Sequence, residues 1–172
     1  PREPGEPVRF VSWYAAEAFA RWTTEKLRRD YPELGASAVA RLPREGEWLA
    51  VAQREGAPAS EPGGAVRITF ESQGETPQPV SAERRSDEGF YDLYGNLWEW
   101  SADWYAPSPE AALLDDGAAP APLGAERVVT GGSYANESRE LTGSLRGSQP
   151  PTWCSAYLGF RLVIGLTVEE ES

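Results

Sequence analysis

The segment Tyr91–Tyr105, YDLYGNLWEWSADWY, sets the tightest constraint on how this 172-residue chain can fold. Trp98, Trp100 and Trp104 stand there with Tyr91, Tyr94 and Tyr105. Burying this one stretch would supply much of a core, because each ring removes a large apolar area from water. Gly95-Asn96 predicts a tight turn within it: glycine tolerates positive φ, and asparagine comes closest among the other residues. After the turn, Leu97–Trp100 is too short and too aromatic for a helical stripe. It predicts a short extended run with at least one buried indole. Tyr105 and Pro107 close the element.

Upstream, Ser12 is placed to cap a helix whose apolar positions, Trp13, Ala16, Phe19 or Ala20, and Trp22 or Thr23, recur at helical spacing. The pattern runs to about Arg29, and Tyr31-Pro32 ends it. Its apolar face, tryptophans included, is expected in the core. A second short helix is expected over Arg44–Gln53, with Pro43 suited to its entry and Trp48, Val51 and Ala52 turned inward. Gly46 and the lack of a capping hydroxyl weaken it by about 1 kcal/mol each, so tertiary packing must hold it. Residues 55–86 and 107–123 are rich in Gly, Pro, Ala, Ser and charge and predict surface connections, apart from a strand-like island, Ala65–Glu71. Arg127–Thr130 and Gly159–Leu166 predict further strands, and Gly131-Gly132 a close approach of backbone to a neighbour.

Composition narrows the function classes. A net charge of -11 argues against sequence-independent nucleic-acid binding, which needs clustered cations. It equally disfavours anionic membranes, and no apolar run approaches the roughly 20 residues of a membrane span. The leading PREPGEP lacks the charged and apolar regions of a signal peptide. Cys154 is the one cysteine, so no intrachain disulfide can form. Histidine and methionine are absent and Lys26 is the single lysine among 16 basic residues, a composition poor in thermolabile side chains that suits a hot environment.

Four ordered motifs carry a resemblance. YGNLWEWSADWY is similar to the GNVWEW motif of the formylglycine-generating-enzyme-like (sulfatase-modifying-factor) family, a branch of the C-type lectin fold. PVRFVSWYAAEAFARW at Pro7–Trp22, RLPREGEW at Arg41–Trp48, and RVVTGGSY with GFRL at Arg127–Tyr134 and Gly159–Leu162 resemble the family's other motifs in order and spacing. The resemblance implies an α+β domain over residues 8–168, with two helices around a small, twisted, mostly antiparallel sheet and much loop. Residues 1–7 then read as a lead-in and 169–172 as an acidic tail.

The resemblance also bears on chemistry. Formylglycine-generating enzymes bind copper through two cysteines after the GGSY motif, and those positions are here Asn136 and Leu141, neither a thiolate. The family's iron-dependent sulfoxide synthases use histidine ligands, of which this chain has none. The expectation is therefore no catalysis and no required cofactor. Asp92, Glu99 and Asp103 remain as the carboxylates an enzyme with unfamiliar ligands would need. A family calcium site would fall on Asp92, Gly95, Leu97 and Glu99, through side-chain and carbonyl oxygens; a purely hydrogen-bonded turn is the alternative.

Between the flanking motifs, Tyr134–Tyr157 (YANESRELTGSLRGSQPPTWCSAY) has drifted toward Tyr, Ser, Gly, Asn, Thr and Trp, the composition of a paratope. Ordinary solvated loop is the bland alternative. The chain resembles the variable proteins of diversity-generating retroelements, which display a variable segment just before a GFR-like strand. Adenine-directed changes of Asn codons yield the residue types found at Tyr134, Ala135, Asn136, Ser138, Gly147, Ser148, Cys154, Ser155 and Tyr157; Trp153 fits that set poorly. With Thr152 and Trp153 these form the candidate ligand-binding set, Tyr134, Trp153 and Tyr157 being the expected exposed anchors. The implied function is non-catalytic binding of a protein or other macromolecule. The alternatives are a degenerate accessory or sensor module without diversification, and an enzyme with unfamiliar ligands.

Overall fold

The computed structural model describes residues 5–54, 69, 76–80, 88–106 and 125–166. Most of the Ala65–Glu71 island, the 107–123 connection and the 169–172 tail therefore lie outside the described residues. Helix α1 spans Trp13–Asp30, and its Ser12 cap accepts from the Ala15 amide. Tyr31 ends it, and a short 3₁₀ turn follows at Pro32–Leu34. Strand β1 (Ala38–Arg41) leads to helix α2 (Glu45–Arg54). The missing α2 cap is supplied from a distance: the Asp103 carboxylate accepts from the Glu45 amide at 2.5 Å, and Glu47 accepts from the Arg44 amide at 2.8 Å.

Strand β2 (Trp98–Trp104) is longer than the expected Leu97–Trp100 run. It pairs antiparallel with β3 (Arg127–Thr130), which pairs antiparallel with β4 (Arg146–Gln149). On its other side β2 pairs parallel with the two-residue β5 (Leu158–Gly159). A separate ribbon joins β1 to β6 (Val163–Leu166) with Ala40 opposite Ile164. The single strand expected over Gly159–Leu166 is thus two strands in two sheets. Phe160–Leu162 turns the chain between them, because Arg161 leaves the ladder to bind Glu99 and the carbonyl of Tyr91.

The core joins Ala16, Leu42, Trp100, Val129 and Leu158, with Trp13, Trp98 and Phe160 packed on its edge. Trp100 is fully buried and its indole N–H donates to the Val11 carbonyl at 2.9 Å, so the costly polar atom of the ring is satisfied. A second cluster sets Trp48 edge-on to Tyr94, whose hydroxyl donates to the Ala52 carbonyl and ties α2 to the Gly95 turn. The inward face of α1 is made by Ala16 and Ala20, whereas Phe19 and Trp22 lie half exposed on its flank, their rings tilted against one another. Small residues let the helix sit close to β1, where Arg28 donates to the Ala38 carbonyl and Thr24 bonds both backbone groups of Ala40. Phe19 and Trp22 are left outside, while Trp13 packs on the core edge. No helix of the described residues is long and apolar enough to cross a membrane.

Candidate functional site

The Gly95 turn forms the base of the site. Gly95 and Asn96 both take positive φ, 87° and 62°, as does Asp92 at 47°. Asn96 binds the turn to the rest of the chain. Its amide donates to Asp92 and to the Gln78 carbonyl, both at 3.0 Å, its Oδ1 accepts from the Gln78 amide, and its carbonyl accepts from the Tyr134 amide at 2.9 Å. The turn therefore holds the start of the candidate segment directly.

Of the four groups expected to bind calcium, Glu99 is already engaged by other partners. Both oxygens of Glu99 accept from Arg161, at 2.5 and 2.6 Å, and Oε2 also accepts from the Trp48 indole at 3.0 Å. Burial alone would lower the pKa of Arg161, but Glu99 outweighs it and raises the value, so the guanidinium stays charged. The carboxylate thus has a resident cation. Among the described residues no three His, Cys, Asp or Glu side chains converge on one point. Asp103, further along β2, is spent on the Glu45 amide and the Ser101 hydroxyl.

Asn136 and Leu141, the positions where the resemblance places copper thiolates, do come together. A Cβ on Gly132 would collide with the end of the buried Leu141 side chain and lie 3.6 Å from Asn136 Oδ1. The Asn136 amide is committed to the loop: Oδ1 accepts from the Ser133 amide and hydroxyl at 2.9 and 3.2 Å, and Nδ2 donates to Glu140 at 3.1 Å. An amide and an aliphatic chain do not fit a soft copper ion.

The candidate segment folds around a cavity of about 470 Å³. Trp98 of β2, Val129 of β3 and Leu158 of β5 line it together with Gly147, Ser148 and Gln149 of β4. Ser133, Ala135 and Asn136 close one side, and Trp153, Ser155 and Tyr157 the other. Gly147 keeps it open, since a Cβ there would meet the Val129 methyl at 3.3 Å and the Trp98 ring at 3.8 Å. The cavity thus brings together seven of the sequence-derived candidates: Ala135, Asn136, Gly147, Ser148, Trp153, Ser155 and Tyr157.

Four candidates stand elsewhere. Thr152 and Cys154 are exposed outside the lining, and Ser138 opens a short 3₁₀ turn with its hydroxyl on that of Thr69. Tyr134, expected as an exposed anchor, is 5% exposed: it packs on Leu97 and lies 5.2 Å from the Tyr157 ring, which it supports from below. Burial pushes its phenol above the usual range, against the opposing pull of Arg9. Trp153 and Tyr157 are about half exposed on the rim. Sequence reasoning missed Trp98, Val129, Ser133, Gln149 and Leu158. Only Gln149 carried a signal, as the polar residue next to Ser148 in a segment already suspected.

Main-chain bonds hold this segment to the scaffold. Phe10 and Trp13 donate their amides to the carbonyls of Ser155 and Pro151, and Trp98 donates to that of Tyr157, at 2.8–3.1 Å. Beneath β4, Arg146 is paired with the buried Glu45 and lies over the Tyr105 ring.

Comparison with known proteins matches residues 1–166 to the sulfatase-modifying factor enzyme 1-like domain. The chain belongs to this family. Within the family it is 32% identical over 92% of its length to the formylglycine-generating enzyme of Streptomyces coelicolor, and spans 52% of that protein. It is 31% identical, again over 92% of its length, to the serine/threonine-protein kinase Pkn1 of Chlamydia trachomatis, of which it spans 25%. The sulfatase-modifying-factor chain thus spans about half the length of the first relative and a quarter of the second. Its fold is that of variable protein 1 of Treponema denticola, with a TM-score of 0.72 at 23% identity over 94% of this chain and 72% of the other. The C-type-lectin-like α+β architecture expected from the motifs is the observed one.

Proposed function

We propose that this chain is a non-catalytic ligand-binding domain of the diversified type, which takes part of a macromolecular partner into the cavity between β4 and the 153–157 turn. The observation that carries this reading is the convergence of Ala135, Asn136, Gly147, Ser148, Trp153, Ser155 and Tyr157, chosen for their residue types, on one cavity over a rigid sheet. Rigidity beneath a binding surface limits the ordering cost of association. Replacement of the two copper-binding cysteines by Asn136 and Leu141 supports the absence of oxidase chemistry, and the structural likeness to a variable protein supports the display role.

Sequencing the encoding locus tests the reading. The expected result is a near-copy of the DNA for residues 134–157, differing at adenines, beside a reverse transcriptase gene. Conversion of a peptide cysteine to formylglycine by the purified chain would overturn it. A second reading, a fixed accessory module in a larger protein, is favoured by the match to a quarter of a chlamydial kinase. An isolated gene without the repeat would select it.

A further inference from the structure

The cavity carries no charge. None of its lining residues is Asp, Glu, Lys or Arg, although a quarter of the chain is charged. Two carboxylates next to the lining are engaged by it, Glu126 accepting from the Ser148 hydroxyl and Glu140 from the Asn136 amide. The floor is apolar: Val129 and Leu158 are 4% and 2% exposed, Trp98 is half-buried, and Gly147 adds no side chain. Its backbone is engaged in the ladders of β3 with β4 and of β2 with β5. On the rim, the Trp153 indole N–H, the Tyr157 hydroxyl and the Gln149 amide make no hydrogen bond to any described residue.

An apolar floor ringed by uncharged hydrogen-bonding groups is the anatomy of a protein–protein anchor pocket. A charged group entering it would lose part of its water without gaining a counter-charge. From this we infer that the cavity selects an uncharged aromatic or amide-bearing side chain projecting from a protein partner and rejects charged ones. The inference rests on the ligand-binding reading and specifies what that surface accepts.

Three matched probes test it, benzamide (neutral), benzoate (anionic) and benzamidine (cationic), with methyl glucoside as the carbohydrate control. Each is titrated into the ¹⁵N-labelled full chain. The expected result is saturable shifts of the Gly147 amide and the Trp98 and Trp153 indole signals with benzamide. Binding of both charged probes should be weaker by on the order of tenfold or more. Trp153→Ala should abolish the benzamide response. Gln149→Glu, nearly isosteric, should reverse the order and favour benzamidine.

Benzoate or benzamidine binding the wild-type chain as well as benzamide at those signals would overturn the inference and leave the ligand-binding reading standing. Tighter binding of methyl glucoside would assign the cavity to a glycan, and no shift with any probe would remove the pocket altogether. Formylglycine production by the chain would overturn the ligand-binding reading whatever the order of the probes.

Discussion

Arg146 and Glu45, far apart in sequence, form a two-pronged ion pair beneath the candidate site, with N···O distances of 2.6 and 3.0 Å. Glu45 is 2% exposed, and Arg146 also donates to the Ala106 carbonyl at 2.9 Å. Removing one partner strands the other's charge, which in buried pairs costs about 3–5 kcal/mol. Arg146→Ala should lower stability by that order in chemical denaturation, and Glu45→Gln by less, since it keeps a hydrogen-bond acceptor.

The same logic applies to Arg161 and Glu99, with a different readout. Because the guanidinium already neutralises the carboxylate, neither Ca²⁺ nor EDTA should move the melting temperature of the wild-type chain. An upward shift with Ca²⁺ would reinstate the metal. Arg161→Ala should destabilise by about 3–5 kcal/mol, since it leaves Glu99 with only the Trp48 indole.

The three aromatic anchors expected from sequence should separate on mutation. Trp153→Ala and Tyr157→Ala remove half-exposed rim rings, and should change stability by no more than about 0.5–1 kcal/mol while abolishing binding to a selected ligand. Tyr134→Ala removes a buried ring and should cost about 3–5 kcal/mol. Thermal melts alongside a binding titration distinguish the two outcomes.

Tyr134 also gives the fold an alkaline limit. Its folded pKa is raised above the ordinary 10.0 by burial, so folding favours the protonated phenol. Its stability contribution is complete below pH 10 and is lost as pH rises through the folded value. Melts taken from pH 8 upward should fall more steeply for the wild-type chain than for Tyr134→Phe.

Gly132, with φ of 74°, faces Leu141 at a distance that no Cβ tolerates. Gly132→Ala should destabilise by about 1–3 kcal/mol through backbone strain and displacement of that buried side chain. Adding Leu141→Ala should relieve the collision and leave the strain and a cavity. The double mutant would then show a favourable coupling energy in a thermodynamic cycle.

The parts of the molecule legible in the sequence are those governed by local chemistry. Ser12 caps α1, Tyr31 ends it, and Gly95-Asn96 turns, because each depends on the residue's own φ or hydroxyl. Along α1 the spacing left Phe19 or Ala20 open and placed Trp22 inward: helical spacing reports a face, but the close approach of β1 reserves it for Ala16 and Ala20 and leaves Trp22 half exposed. The break after Gly159 was invisible because its cause, the Glu99 carboxylate, lies about 60 residues away in the chain. In the cavity, the paratope-like residues of 134–157 were legible by type. Val129 and Leu158 were not, since an aliphatic residue in a strand gives no sign that, besides filling the core, it floors a cleft.

The segment 134–157 is held mainly by its peptide groups: the amides of Phe10, Trp13, Trp98 and Tyr134 and the β3–β4 ladder do the fastening. Side chains fasten it at Tyr134, Asn136, Ser138, Leu141, Arg146 and Ser148, whereas the stretch 152–155 is tied to the scaffold through main-chain bonds. The architecture therefore separates address from message. On the ligand-binding reading proposed above, positions such as 153, 154 and 155 would change like type in a fixed frame, because the peptide groups that fasten them are the same whatever side chain they carry.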